Sequence, residues 1–248
     1  MKRILWFRRD LRVEDNPLLS LGGEVLPVFI FDTQILNSLP EDDKRVSFIF
    51  DRVIKLKQSL QDKGLDLKIF WGDPVEIFEV LEGQGFDEVV ASGDYDAYAK
   101  ERDIRVSHIL HFLYMHDTYI FQPEEILKDD GTPYLVFTPF YNKAKAHFSK
   151  EHLQEHTFGE HTLYHTSYSG ITKYHSMVNE VLPLRIDSLG FRLNLPEIKD
   201  PQTKIEALQK RLEGYVKERD YLDKEATSHL SIDLRFGTIS IRSLLRFL

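Results

Sequence analysis

A chain of 248 residues with 42% hydrophobic content is long enough to bury one large core or two modest ones. Its 40 Asp and Glu outnumber 32 Lys and Arg, and the formal charge of −8 excludes a uniformly basic nucleic-acid binder, whose phosphate contacts need clustered cations. No cysteine is present, which excludes disulfides, thiol nucleophiles, iron–sulfur clusters and thiolate zinc sites and fits a reducing compartment.

The amino terminus, MKRILWFRRDLR, lacks the apolar core of a signal peptide. The longest apolar run, Val25 to Phe31, contains a proline and is far too short to span a bilayer, so a cytoplasmic protein without membrane partners is expected. Short β-rich runs fall at Arg3–Phe7, Val25–Phe31, Leu65–Trp71, Glu88–Ser92 and Thr118–Phe121. Helical periodicity fills the later gaps. Arg45–Lys63 places Val46, Ile49, Phe50, Val53, Leu56 and Leu60 on one face, with Gly64 where a C-cap belongs. Asp73-Pro74-Val75-Glu76 reads as a capping box with proline in the first turn, and a third helix covers roughly Asp96–Met115. Strands alternating with helices imply right-handed crossovers and a mostly parallel five-stranded sheet with flanking helices, an α/β fold.

Such sheets bind ligands at the carboxyl ends of their strands. The first β–α turn holds Arg8-Arg9-Asp10-Leu11-Arg12 and then Asn16-Pro17 as a cap and first turn, with no glycine-rich phosphate loop. Its arginines read either as an anion site or as structural groups, with Asp10 paired to a neighbouring arginine. Beyond Gln122 the alternation breaks down. Gly131–Phe140 reads as a turn, a short extended apolar segment and a second turn, and Lys143, Lys145 and Lys150 as a solvated lysine run. Residues 150–204 are polar, rich in histidine and proline and weakly periodic, a long connector wrapped on a surface. Within them His152-Leu153-Gln154-Glu155-His156 matches an inverted zinc-protease pattern. The segment offers little apolar support and no obvious third ligand, so it reads as a solvated linker and no metal ligand or catalytic residue is assigned.

Periodicity resumes at Ile205–Tyr221, with Leu208, Leu212, Tyr215 and Val216 on one side. Thr227-Ser228-His229-Leu230-Ser231 then places hydroxyls ahead of a helix, where they can cap it or face an anion at the positive end of the helix dipole.

Three long stretches resemble the DNA photolyase/cryptochrome family. Leu5 to Leu19 is similar to its WFRxDLRxxDNPxL signature, Tyr134 to Phe140 to its Y-x-VFTPF connector, and Thr227 to Arg242 to its TSxLSxxLxFGxISxR flavin motif. The resemblance covers the chain in the family's order. It implies a Rossmann-like antenna domain over residues 1–130, an interdomain connector over 131–204 and, over 205–248, the first helices of an all-α FAD domain, truncated here. It implies FAD as cofactor, with Tyr215, Thr227, Ser228, His229, Leu230 and Ser231 as flavin contacts and Arg219 near the DNA backbone. In the family, light-excited reduced flavin donates an electron to a cyclobutane pyrimidine dimer flipped out of damaged DNA, the dimer splits and the electron returns. Leu222, Ala226 and Ile232-Asp233 depart from the family's usual loop residues, and Tyr98 and Ala99 replace its folate-gripping pair, so a second antenna chromophore is of unknown identity or absent. Trp6 and Trp71 read as core residues rather than an electron relay. The expected activity of the family is light-driven repair, and this polypeptide by itself is expected to bind flavin weakly or not at all and to repair nothing. A cryptochrome-like photosensor and a stand-alone α/β chromophore-binding module are the alternative readings, and oligomeric state is left open.

Overall fold

Burial along β1 (Lys2–Phe7) alternates between two apolar layers, which is why the sheet is covered on both faces. Leu5 and Phe7 join one layer with Val53, Leu56 and Leu60, whereas Ile4 and Trp6 join the other with Ile77, Phe78 and Val106. The structure, a computed structural model, describes residues 1–164, 170–175, 178–195 and 199–248. Of the expected connector, residues 165–169, 176–177 and 196–198 therefore lie outside the described residues.

β1 lies between β2 (Gly23–Asp32) and β4 (Glu88–Ser92), with β3 (Lys68–Gly72) beyond β2 and β5 (His111–Met115) beyond β4. All four pairings are parallel, so the expected five-stranded parallel sheet forms. Its last strand is displaced from the expectation. The helix expected to reach Met115 ends at Ser107, and His111–Met115 pairs with Glu88–Ser92 in place of the strand expected at Thr118–Phe121. Strand pairing is a non-local gain that helical spacing does not register.

The crossovers carry α1 (Thr33–Leu36), α2 (Lys44–Gln61), α3 (Pro74–Glu82) and α4 (Ala97–Ser107). α2 ends in a Schellman arrangement: Leu65 N–H reaches Leu60 O at 2.9 Å, Gly64 N–H reaches Gln61 O at 3.0 Å, and Gly64 takes φ +77°. Asp73 caps α3 by accepting from Val75 N–H at 2.8 Å.

The segment read as a surface connector adds structure that its weak periodicity conceals. β6 (His161–Leu163) pairs with Gly23–Val25, β7 (Ile171–His175) pairs in parallel with β3, and β8 (Val178–Leu182) returns antiparallel to β7. The sheet thus runs β5-β4-β1-β2-β3-β7-β8, with β6 on β2. These strands have only three to five residues each, in which an alternating pattern has little room to declare itself. The Tyr134–Phe140 segment also differs from the expectation: α5 (Phe137–His147) begins inside it, buries Ala144 and leaves Leu135, Val136, Phe137 and Tyr141 exposed.

Four helices follow: α6 (Pro201–Gln209), α7 (Leu212–Glu218), α8 (Ser231–Phe236) and α9 (Ile241–Phe247). They gather a small core of Ile205, Leu208, Leu230 and Leu244, against which Tyr215, Leu234, Ile239 and Ile241 pack.

Candidate functional site

The arginines of the first β–α turn are all engaged internally. Arg8 pairs with Asp103 at 2.7 Å and donates to the Ser92 carbonyl, while its guanidinium lies 4.8 Å from the Trp6 ring. Arg9 reaches Asp94 at 2.8 Å and Asp96 at 3.0 Å. Asp10 is fully buried but its side chain does not pair with an arginine: it accepts from Arg8 N–H at 2.7 Å and from the Ser92 hydroxyl at 2.7 Å. Burial, assisted by repulsion from Asp117, holds its carboxyl above the usual range even though these two bonds and Arg12 oppose the rise. The anion-site alternative for this turn therefore gives way to a structural one, with partners other than those the local sequence suggested.

Arg12 turns the other way, into a buried ionic network that reaches the end of the chain. Its guanidinium grips Asp117 through two bonds of 2.6 and 2.9 Å and donates to the Gly237 carbonyl at 3.2 Å. Arg242 donates to Asp117 at 2.8 Å, to the Asp15 carboxylate at 3.2 Å and to the Asp15 carbonyl at 2.8 Å. Asp15 also accepts from the Ser240 hydroxyl at 2.6 Å and from His156 N–H at 2.9 Å. Its burial would raise its carboxyl, but the bonds from His156, Ser240 and Arg242 outweigh that cost and hold it below the usual range. Backbone contact completes the junction. Leu11 N–H bonds to Phe236 O at 3.1 Å, and Gly237, at φ +60°, approaches so closely that a Cβ there would lie 2.0 Å from Arg9 O. The amino-terminal signature and the FGTISIR stretch are thus each other's partners.

This junction presents the loop before α8. Tyr215, on α7, is half-buried and its ring lies 5.9 Å from the Arg219 guanidinium, which is itself exposed. Thr227 and Ser231 are exposed, and Ser228 Oγ accepts from Leu230 N–H at 3.4 Å. His229 takes φ +53° and its ring stands 3.2 Å from Glu225. Leu230 points into the small core and is 1% exposed, so it can offer a ligand its backbone but not its side chain. The hydroxyls do not cap α8. The cap position falls to Leu230 and carries no side-chain bond, because the turn at His229 takes Ser228 only as far as the Leu230 amide. Arg211, which the sequence reading passed over, ties the loop to the preceding helices by donating to the Glu225 and Thr227 carbonyls. Lys204 joins them from below through a 2.6 Å bond to the fully buried Asp233. Tyr215 packs against the same small core as Leu230, and Thr227, His229 and Ser231 lie exposed beside it, so these residues form an open wall.

At the carboxyl end of the sheet, a cleft of about 330 Å³ is lined by Gly93, Asp94, Tyr95, Lys100, Ile104 and Tyr114. Tyr98, at one of the folate-pair positions, donates to Asp32 at 2.6 Å. Trp6 is buried, with the Arg8 and Arg102 guanidiniums 4.8 and 4.7 Å from its ring, whereas Trp71 is partly exposed, with the Lys173 ammonium 4.5 Å from its ring. The His152–His156 pattern does not lie on one helix. A short 3-10 turn ends at Leu153, and the two histidines go to different neighbours, His156 to Asp15 through its amide and His152 to Glu125 through its ring. Among the described residues, no helix is long and apolar enough to cross a membrane.

Comparison with known proteins gives one answer. The DNA photolyase family model matches residues 3–159. A deoxyribodipyrimidine photo-lyase of Halobacterium salinarum is 28% identical over 97% of this chain and 53% of its own length, and one of Synechococcus is 28% identical over 96% and 52%. The chain spans about half the length of these curated relatives. An archaeal photolyase from Sulfolobus tokodaii, solved with two FAD molecules, shares the fold with a TM-score of 0.75, covering 99% of this chain and 54% of that one at 24% identity.

Proposed function

The chain belongs to the DNA photolyase family, and from that premise we propose that it is the amino-terminal part of a deoxyribodipyrimidine photolyase, which uses light and flavin to repair cyclobutane pyrimidine dimers in DNA. The observation that carries this reading is the docking of the stretch 236–242, which follows the hydroxyl-bearing loop and α8, against Leu11 and Asp15 of the amino-terminal signature and against Asp117. On this reading residues 1–130 are the antenna domain, 131–204 the connector that lends strands to its sheet, and 205–248 the start of the FAD domain.

FAD carries a diphosphate, and the start of α8 fits one. Thr227 and Ser231 hold their hydroxyls at the surface, and the helix opens without a side-chain cap, where its dipole is positive. Tyr215 supplies an aromatic wall, Ser228 and His229 shape the turn, and Leu230 anchors it in the core. When bound, the flavin supplies light-driven one-electron chemistry; the protein's part is to hold and orient it. On this reading Arg219, exposed beside Tyr215, is the residue that meets a DNA phosphate. The aromatic-walled cleft at Gly93–Tyr95 is the candidate seat of a second chromophore, its volume lying within the range of small-molecule sites. A cytoplasmic location accords with the absence of cysteine.

The test supplies the half of the relatives that the match does not reach. Residues 1–248 fused to the carboxyl-terminal half of the Halobacterium salinarum relative should bind FAD and split thymine dimers in an oligonucleotide under blue light. Arg219→Ala in that fusion should weaken DNA binding and lower the slope of log affinity against log salt by about 1. A fusion that holds stoichiometric FAD yet leaves dimers intact under light would overturn the repair reading in favour of a photosensor.

A further inference from the structure

Glu125, His147 and His152 come together from three separate segments. Glu125 follows β5, His147 is the last residue of α5, and His152 lies in the 3-10 turn Lys150–Leu153. Glu125 Oε1 is 2.9 Å from Nε2 of both histidines, and the three potential ligand atoms all lie within 4.8 Å of one another. From this geometry we propose that the three side chains form a binding site for a divalent transition-metal ion of the zinc class, one that staples the turn after β5 to the end of α5.

Each donor is held by a neighbour. Glu125 Oε2 accepts from Gln122 N–H at 2.7 Å, which leaves Oε1 turned to the imidazoles. Phe148 stacks on the His152 ring at 5.7 Å and Phe121 meets its edge at 5.1 Å, so the ring has little freedom to turn away. His152 Nδ1 accepts from Ser149 N–H at 3.0 Å, and the Ser149 hydroxyl and carbonyl lie 3.1 and 3.3 Å away. Ligation through Nε2 moves the ring proton to Nδ1, which then exchanges the Ser149 amide for the neighbouring hydroxyl or carbonyl as its partner, the outer-sphere support typical of metal-bound histidine.

Donor type and spacing fit the ion. Two imidazoles and a carboxylate are a zinc-type set with a position to spare. Tetrahedral ligand atoms at zinc bond lengths stand about 3.4 Å apart, so the 2.9 Å oxygen–nitrogen separations need open only slightly. Glu125 and His152 also line a cleft of about 760 Å³ with Glu124, Glu151 and Glu155, whose charges favour a dication. His116 lines the same cleft, and neither of its ring nitrogens has a hydrogen-bond partner among the described residues. Glu125 and His152 thus bring the site to the wall of a cavity that water or a small anion can enter.

The test is equilibrium dialysis of the chelator-treated 248-residue chain against Zn²⁺ alone, with far-UV circular dichroism to confirm folding. The chain should hold one equivalent. His147→Ala with His152→Ala should weaken binding at least 100-fold, Glu125→Gln should weaken it about 10-fold or more, and His156→Ala with His161→Ala should leave it unchanged. Co²⁺ in place of Zn²⁺ should give visible bands that vanish in the His147/His152 variant. Stoichiometric binding that survives loss of both histidines, or no binding by the folded wild-type chain at micromolar Zn²⁺, would overturn the proposal.

Discussion

Replacing Arg242 by methionine keeps most of the side chain's volume and removes its charge from the junction between the two signature stretches. Three charge-assisted bonds disappear, at 2.8, 2.8 and 3.2 Å. Taken singly, at about 1.5–3 kcal/mol each, they would sum to roughly 4.5–9 kcal/mol. That sum overstates the loss, because they belong to one network and do not add. Breaking a buried ion pair costs about 3–5 kcal/mol. Here the low end applies: Asp117 keeps both bonds to Arg12, and Asp15 keeps Ser240, the His156 amide and Arg246. A loss of about 3 kcal/mol is expected, which lowers the urea midpoint by about 1 M for a slope of about 3 kcal/mol/M. Adding Asp15→Asn to the methionine variant should recover part of it, since asparagine keeps an acceptor, tolerates the φ of +49° and leaves no buried charge. The pH dependence has a definite sign. The Asp15 carboxyl titrates below its usual range when folded, so its contribution is present above about pH 3.9 and fades as the pH falls further. The gap between wild type and variant should narrow below pH 4. A loss under about 1 kcal/mol at pH 7, or a gap that widens in acid, would refute the account of the junction.

Asp10 should behave in the opposite sense. Its folded carboxyl titrates above the usual range, so stability falls as pH rises from about 4 through that folded value, and Asp10→Asn should gain on wild type in urea midpoint over the same interval. A midpoint difference that is flat with pH, or that runs the other way, would show that burial does not hold the Asp10 carboxyl above its usual range. Gly237→Ala should cost about 3 kcal/mol or more, because a Cβ at φ +60° would lie 2.0 Å from Arg9 O and the junction must part to admit it. Thermal unfolding that shifts by less than a degree would contradict the close approach.

Much of this was readable before any coordinates. Buried parallel strands such as Val25–Phe31 announce themselves as continuous apolar runs, and Asn16 caps the turn at Pro17 as its sequence neighbours suggest, accepting from Leu18 N–H at 2.9 Å. The flavin-motif residues were legible only through family resemblance, because hydroxyls ahead of a helix equally suggest a cap. What stayed hidden is separation. Asp15 and Arg242 meet across |i−j| = 227, and no local pattern around either names the other. Arg8 likewise finds Asp103 rather than the adjacent Asp10. The same reason explains the histidines. Helical spacing pointed from His152 to His156, but the turn ends at Leu153 and the ring meets Glu125 and His147, which no periodicity groups with it. β6, β7 and β8 were missed because three to five residues carry too little alternation to stand out in a polar segment.

The central claim is that Tyr215 and residues 227–231 form one wall of a flavin site. Titrating FAD into the ¹⁵N-labelled chain and following its amide resonances tests it directly. The open geometry predicts shifts that gather at Tyr215 and Thr227–Ser231 with a dissociation constant weaker than about 0.1 mM, and reduced shifts when Thr227→Ala and Ser231→Ala are combined. Amides of Tyr215 and 227–231 that stay unmoved at millimolar FAD would contradict the claim.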